Sequence, residues 1–169
     1  MANTSTNIYT GQIAHPETLF DSGQLGGRIR AIIATATVTS TDFDADGDTI
    51  KICALPGSAR ITSIKMFNAD LGSGESDFDI GIYTHKGALI DEDEFAEGIT
   101  AFAAAVEFPT EQLGVGITAA ALSLSSTLWE RAGAAVDTGV LYDIVCTQTA
   151  TVVTPITGIV GFIVEYTIS

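Results

Sequence analysis

Positive charge is scarce in this sequence. Only 7 of the 169 residues are Lys or Arg, against 21 Asp and Glu, and the formal net charge is −14. The seven cations are scattered along the chain and form no basic stripe. Because phosphate binding needs clustered Lys and Arg, the sequence predicts no direct contact with nucleic acid, and the same negative surface predicts no binding to an anionic membrane.

Histidine and cysteine are nearly absent. His15 and His85 are the only histidines, and neither lies near a second suitable metal ligand, which argues against metalloenzymes that need several imidazoles. Two cysteines, Cys53 and Cys146, are too few for a disulfide-rich secreted scaffold. Both fall in strand-like segments, which favours small buried hydrophobes, while a bridge between them stays open.

Long apolar runs are also missing. The longest, such as residues 158–164, are far shorter than the roughly 20 residues of a membrane-spanning helix. The first residues have neither a basic region nor an apolar core, so we expect no secretory signal. The mean hydropathy is nevertheless +0.35. Since large apolar patches seldom stay exposed, this predicts surface hidden in an oligomer or a larger shell; a well-filled core under a neutral surface is the alternative.

What the sequence does contain is a series of short alternating segments. Residues 28–40 (RIRAIIATATVTS) alternate and are rich in β-branched side chains, which is typical of a strand. Phe78, Ile80 and Ile82 alternate with polar or small residues and predict a half-buried strand. In residues 49–55 the alternation puts Ile50, Ile52 and Ala54 on one face. Further strands are predicted over 60–68, 140–147 and 158–168, with weaker candidates at 118–124 and 150–154.

Only two segments favour a helix. Residues 91–97 (DEDEFAE) are expected to begin a short one, because carboxylates are favourable near a helix N-terminus. Residues 128–132 (LWERA) predict a single turn that stops at Gly133. Neither segment is long enough to form a stable helix alone.

These patterns predict an all-β fold. Roughly eight short strands with Gly-rich turns indicate an antiparallel β-sandwich of jelly-roll type. Residues 1–27 are polar, rich in Thr and Gly, and end in a Gly-Gly pair, so we expect an extended N-terminal arm. Residues 28–169 then form a single β-sandwich domain.

The sharpest motif is a run of alternating aspartates, Asp42, Asp44, Asp46 and Asp48, with Gly47 between the last two. Its D-x-D-x-D-G spacing matches the start of a calcium loop, in which alternating oxygens converge on the ion. The Glu expected six residues after the glycine is Cys53, and no helices flank the loop. The alternative, which we favour, is a β-hairpin turn. Calcium is therefore the only cofactor that the sequence suggests.

No catalytic set is found. The acidic run at 91–97 is typical of a solvated face, because a catalytic carboxylate pair faces across a cleft. The segment 74–78 (GESDF) misses the nucleophile-elbow pattern, since Phe78 replaces its last glycine. Trp129 favours a core or interface anchor over a sugar-binding platform. The sequence predicts a protein that is not an enzyme.

Several segments in a fixed order resemble the head decoration (cement) proteins of tailed bacteriophages. The resemblance covers residues 35–169 and leaves out the N-terminal arm. Its pieces are Gly47-Asp48 leading a strand, Leu55-Pro56-Gly57 before Arg60-Ile61, Asp79-Ile80-Gly81 before Ile90-Asp91, Leu128-Trp129-Glu130, and a terminal strand with Tyr166.

The resemblance implies a virion structural protein. A cement protein forms homotrimers on the outer capsid surface, made in the host cytoplasm and bound to the major capsid protein between capsomers, where it stabilises the head. Another virion component, such as a head fibre or tail protein, is one alternative. A calcium-assisted, carbohydrate-binding jelly-roll module is the other.

Overall fold

A computed structural model describes residues 28–40, 45–73, 77–118, 124–150 and 154–168. The predicted arm, residues 1–27, lies outside the described residues, as does most of the weak strand candidates at 118–124 and 150–154. Within the described ranges, no helix is long and apolar enough to cross a membrane.

The described residues form ten strands and two short helical turns. The strands are β1 (Arg30–Val38), β2 (Thr49–Pro56), β3 (Ala59–Asn68), β4 (Gly72–Ser73), β5 (Phe78–Thr84), β6 (Leu89–Ile99), β7 (Val106–Glu111), β8 (Leu141–Gln148), β9 (Thr154–Pro155) and β10 (Gly158–Ile168). A 3₁₀ turn covers Ala101–Ala103, and α1 covers Leu128–Arg131.

Eight of these strands form two antiparallel sheets of four. Sheet A has the order β1-β10-β3-β7 and sheet B the order β2-β8-β5-β6, while β4 and β9 make a small separate ribbon. All pairings are antiparallel. Apart from the β5–β6 hairpin within sheet B, successive strands of the two sheets cross from one sheet to the other in the order of a jelly roll, which is two interlocked Greek keys. The predicted antiparallel, jelly-roll sandwich is confirmed.

The core lies between the two sheets. Each sheet turns one row of apolar side chains inward, as the period of two in a strand requires. The rings of Phe78 and Phe102 meet edge to face, with centroids 4.2 Å apart. The largest fully buried side chains are Phe78, Phe95, Phe102, Phe162, Leu55, Ile61, Ile64, Met66, Ile80, Ile82, Ile99 and Leu128.

The helix predicted at residues 91–97 is wrong, because this segment lies inside β6. The reason is found on the neighbouring strand β5. A Cβ atom on Gly81 would collide with the carbonyl oxygens of Asp91 and Glu92, so the backbone of β6 crosses directly over this glycine. The pairing of β5 with β6 shifts register three times around this crossing. Tertiary packing here overrides the local preference of the acidic run.

Strand β5 is more deeply buried than its alternation predicted. Residues 78–82 are all buried, including the polar Asp79, so the expectation of a half-buried strand is wrong for most of its length. The outward face of β5 is covered because β6 folds over Gly81. Asp79 Oδ1 accepts a hydrogen bond of 2.8 Å from the Gly98 amide, which satisfies the buried carboxylate.

Strand β2 contains a bulge that reverses its faces. Its register against β8 shifts between Lys51 and Cys53. Ile52 is buried as predicted, but Leu55 is buried in place of Ala54, which is exposed. An extra residue in one strand changes which side chains face inward beyond it, so a simple alternation fails after the bulge.

The predicted turn at residues 128–132 is confirmed as α1. Thr127 caps it: the Thr127 amide donates to Glu130 Oε2 at 2.7 Å, and the reciprocal contact completes a capping box. Gly133 follows with a φ of +69° and ends the helix in the left-handed region that favours glycine.

Both cysteines are free thiols. Cys146 is fully buried in the core, as the sequence predicted, and Cys53 is partly buried on the adjacent strand. Burial raises the pKa of Cys53 to about 12, and the Asp143 carboxylate adds to the shift; burial likewise raises the pKa of Cys146. Because the thiolate is the reactive form, both side chains act as small hydrophobes.

Candidate assembly surfaces

The aspartate-rich loop joins the two sheets. Asp42 and Asp44 lie outside the described residues, and Asp46 and Asp48 belong to the turn that leads into β2. Strand β1 is in sheet A and β2 in sheet B, so the predicted β-hairpin between them is wrong: the loop crosses between sheets.

Local hydrogen bonds occupy the described half of this loop. Asp48 Oδ2 accepts from the Ala45 amide at 3.0 Å, and the Gly47 amide donates to the Gln148 carbonyl at 2.8 Å. Gly47 has a φ of +90°, which explains the need for glycine at this position. Within the described ranges, no three His, Cys, Asp or Glu side chains are grouped to hold a metal ion. The expectation that the four aspartates hold no calcium stays a prediction.

The second acidic run belongs to β6, and its carboxylates are crowded. Burial, followed by repulsion from neighbouring carboxylates, raises the pKa of Glu92. Burial also raises the pKa of Asp79, although the Gly98 amide opposes this shift. The pKa of Asp91 is raised mainly by a side-chain hydrogen bond with Asp93. The charged forms of these three groups are therefore less favourable in the folded protein than in the unfolded chain.

An ion pair connects α1 to β6. The Arg131 guanidinium contacts the Glu94 carboxylate and lies 5.2 Å from the centre of the Phe95 ring. The Arg131 side chain is only 3% exposed. This part of the acidic run is thus a packed contact, and the prediction of a solvated face fails for Glu94.

A buried carboxylate organises one end of sheet B. Asp143 lies 2.7 Å from His85 Nδ1 and 3.3 Å from Lys51 Nζ. A hydrolase would need a nucleophile on the other ring nitrogen of the histidine. Among the described residues, Asp143 is the only hydrogen-bond partner of His85. The pair therefore holds the β5–β6 turn against β8.

An open groove of about 580 Å³ lies beside this turn. Its walls are mostly apolar, and Val140 and Leu141 in it are more than two-fifths exposed. Trp129 is partly buried against the core and is not among the groove residues, as expected for a core anchor. The lining residues are Thr84, His85, Lys86, Ile90, Ala132, Val140, Leu141 and Tyr142.

The outer face of sheet A carries strongly exposed apolar side chains. Ile33 on β1 is 70% exposed and pairs with Ile163 on β10. Ile159 on β10 is 54% exposed. Phe108, on the edge strand β7, is 80% exposed at an irregularity in the pairing of β7 with β3. The Phe67 ring covers the backbone of Gly161 on the same face, since a Cβ there would collide with it.

Charge on this face is mostly neutralised locally. Lys65 Nζ lies 3.1 Å from Glu165 Oε1. Glu111 accepts hydrogen bonds from the Ser63 hydroxyl at 2.6 Å and from the Ile64 amide at 2.9 Å. The result is a weakly charged apolar surface on a protein whose net charge is −14. Exposed apolar patches are typical of protein interfaces, membrane-binding surfaces and ligand-binding grooves.

Sequence analysis predicted hidden surface without locating it. Ile33 and Ile159 stand in ordinary strand patterns, and nothing local distinguishes an outward isoleucine from an inward one. Phe108 gave a weak signal, because it precedes Pro109 in a segment with two glutamates, where a buried strand is not expected.

This architecture is an eight-stranded jelly roll, and two chains in solved bacteriophage capsid structures have a similar fold. One such chain, from "Capsid of Ralstonia phage GP4", superposes with a TM-score of 0.62 at 18% identity, over 85% of this chain and 86% of that chain. A second, from "Cyanophage Pam1 capsid asymmetric unit", gives a TM-score of 0.56 at 15% identity, over 98% and 99% of the two chains. At these identities the likeness establishes the fold. The sequence matches no protein-family model and no curated protein.

Proposed function

We propose that the protein is a structural component of a bacteriophage head, and specifically a decoration (cement) protein. The observation that carries the proposal is the fold: both similar chains come from phage capsids, and one superposes over 98% of this chain. In this role the protein binds the outer capsid surface between capsomers and stabilises the head.

The surface chemistry supports a role in assembly. Exposed isoleucines on sheet A and an apolar groove on sheet B provide area that association would bury. A protein that binds only the mature lattice stabilises that lattice by mass action. The partners in this proposal are further copies of the chain, as a homotrimer, and the major capsid protein. The protein is made in the host cytoplasm and resides on the outer surface of the virion.

A binding experiment tests the proposal. Purified protein is added to heads that lack it, and the heads are then heated. We expect the protein to sediment with expanded heads, to raise the temperature at which they break, and to run as a trimer in solution. A monomer that leaves both sedimentation and heat resistance unchanged would contradict the proposal.

The location of the bound protein separates this role from the other virion roles. Labelled protein on tails or on a head fibre, with none across the shell, would favour one of those alternatives. The carbohydrate-binding alternative lacks an aromatic platform in the described residues around α1, because Trp129 packs against the core and beside Gly57. A glycan array with and without calcium tests it directly.

A further inference from the structure

The sandwich has four edge strands, and an edge strand is open to pairing with other chains. These edges are β1 and β7 in sheet A, and β2 and β6 in sheet B. Among the residues that the structure describes, each exposes a row of backbone amides and carbonyls that have no partner in the sheet. Proteins normally block such edges with charge, proline or bulges.

Three of the four edges are blocked in this way. Strand β7 is six residues long and contains Pro109 between Glu107 and Glu111. Strand β2 has a bulge, an exposed Lys51 and a terminal Pro56. Strand β6 carries the acidic run and shifts register three times against β5. None of these edges offers a straight, neutral row of backbone groups.

Strand β1 has none of these features. It pairs with β10 over nine residues without a register shift, and it contains no proline and no glycine. Its only charged residue is Arg30, at its first position. Five of its nine residues are β-branched, so the strand itself has a high preference for extended structure.

The side chains beside this edge extend the same surface. Ile29, just before β1, is 63% exposed, and Ile33, on the outer face of sheet A, is 70% exposed. Ile159, at the far end of β1, pairs with Thr37 on that face. An added strand would cover these side chains as well as the backbone row.

We propose that β1 is a docking edge, at which an extended segment of another polypeptide adds a fifth strand to sheet A. The inference rests on the proposed function, which supplies the partner: a segment of the major capsid protein at the capsomer boundary. In such strand addition the backbone hydrogen bonds give affinity and the alternate side chains give specificity.

Charge favours a different protein over a second copy of this chain. Residues 28–40 contain Arg28 and Arg30 and no carboxylate, so this edge is a positive site on a chain of net charge −14. If two copies paired antiparallel through β1, centred on Ala34, each Arg30 would lie opposite a Val38, and the partner's β1 would offer it no carboxylate. A β-branched segment whose only charge is a carboxylate near the two arginines complements the edge better.

Hydrogen exchange tests the proposal directly. In the free chain, alternate amides of β1 point to solvent and should exchange fast, while the others are held by β10. The probe is a stripped head, which is a head of the parent virion from which this protein has been removed. When the full-length protein is bound to it, the fast amides within residues 30–38 should become slow.

A side-chain variant provides the second measurement. We expect Ile33→Lys to weaken binding to stripped heads by about ten-fold or more, because burying an isoleucine contributes that much and a lysine cannot replace it. Val136→Lys is the matched control, since Val136 is similarly exposed (63%) but lies in the loop between α1 and β8. The control should bind like the wild type, and both variants should melt like it.

Proline substitution separates backbone pairing from side-chain contact. Of the neighbouring variants Ala34→Pro and Thr35→Pro, one removes an amide directed at β10 and the other an amide directed at solvent. The variant that lacks the outward amide should keep most of its stability and lose binding.

The outcomes distinguish the inference from the function on which it rests. If the wild type does not bind stripped heads, the docking edge and the proposed function are both wrong. If it binds, but β1 amides gain no protection and Ile33→Lys binds as well as Val136→Lys, the docking edge is wrong and the capsid role stands. Slow exchange of every β1 amide in the free chain would also overturn the inference, because the edge would already be paired.

Discussion

Single residues decide local geometry in this sandwich, and Gly81 is the clearest case. The backbone of β6 passes over it so closely that a methyl group there would meet the carbonyl oxygens of Asp91 and Glu92. Gly161 is equally crowded, but the obstacle is the Phe67 ring, a side chain that can rotate away. The two positions therefore form a natural comparison.

We predict that Gly81→Ala lowers the free energy of unfolding by about 2–3 kcal/mol, because overpacking against backbone cannot relax easily. Gly161→Ala should cost less, about 1 kcal/mol, since its obstacle is a movable side chain. Chemical denaturation of both variants measures the difference. Equal losses would show that β6 can move away from Gly81 at little cost.

The crowded carboxylates give the protein an unusual dependence on pH. The pKa values of Asp79, Asp91 and Glu92 are raised in the folded state, so in the range where they titrate the folded state binds more protons than the unfolded chain. The free energy of unfolding then falls as pH rises through that range. At neutral pH, where all three carboxylates are ionised, the full loss of stability is present. We predict that Glu92→Gln raises the melting temperature at pH 7 by about 1–2 °C, a small gain because solvent screens a partly exposed group.

The gain from Glu92→Gln should shrink as the pH is lowered toward 4, where the wild-type carboxyl becomes protonated. Glu107→Gln is the control, because Glu107 is exposed on β7, away from the crowded group. Thermal melts at pH 7 and pH 4 check both variants. A gain for Glu92→Gln that is the same at the two pH values, or a loss at pH 7, would contradict the electrostatic explanation.

Sequence alone could not reveal these residue-level effects. The pattern around Phe78, Ile80 and Ile82 showed which residues face the core, and the structure confirms them as buried. It could not show that Asp79 is buried as well, because its cover comes from a bulged segment of β6. Contacts between residues distant in sequence decided this outcome.

At the scale of elements, a buried ion pair attaches the short helix α1 to β6. Arg131 is almost fully buried between Glu94 and the Phe95 ring, and its removal leaves a carboxylate without its partner. We predict that Arg131→Ala destabilises the protein by about 2–4 kcal/mol, as expected when one member of a buried pair is lost.

A surface ion pair provides the comparison for this prediction. Lys65 and Glu165 are each about one-third exposed, so Lys65→Ala should cost about 1 kcal/mol or less. Urea denaturation compares the two variants. The combination of Arg131→Ala with Glu94→Gln should recover part of the loss, because the uncompensated charge is then removed. A loss for Arg131→Ala no larger than that for Lys65→Ala would rule out a buried pair.

Elements were predicted best where the local pattern and the final packing agree. The strand at β10 and the turn at α1 follow directly from alternation and from Gly133. The acidic segment failed because its local preference for a helix start competes with a long-range pairing across Gly81. The predicted inward and outward faces of β2 are wrong after Ile52, because a bulge has no reliable signature in a single sequence.

At the scale of the whole molecule, the number and type of strands indicated a sandwich, but not which strands pair. The partners in sheet A are distant in sequence: β1 pairs with β10, more than a hundred residues away. The jelly-roll expectation was correct because many short strands with few helices leave few architectures. The assembly surfaces could not be located from the sequence, since they depend on which edges and faces the topology leaves uncovered.

We propose above all that the outer surface of this jelly roll binds a phage shell. A cryo-electron microscopy map of the virion that carries the protein tests it most directly. The account predicts jelly-roll density on the outside of the head between capsomers, with β1 against a neighbouring chain. A head whose outer surface lacks this density would contradict it.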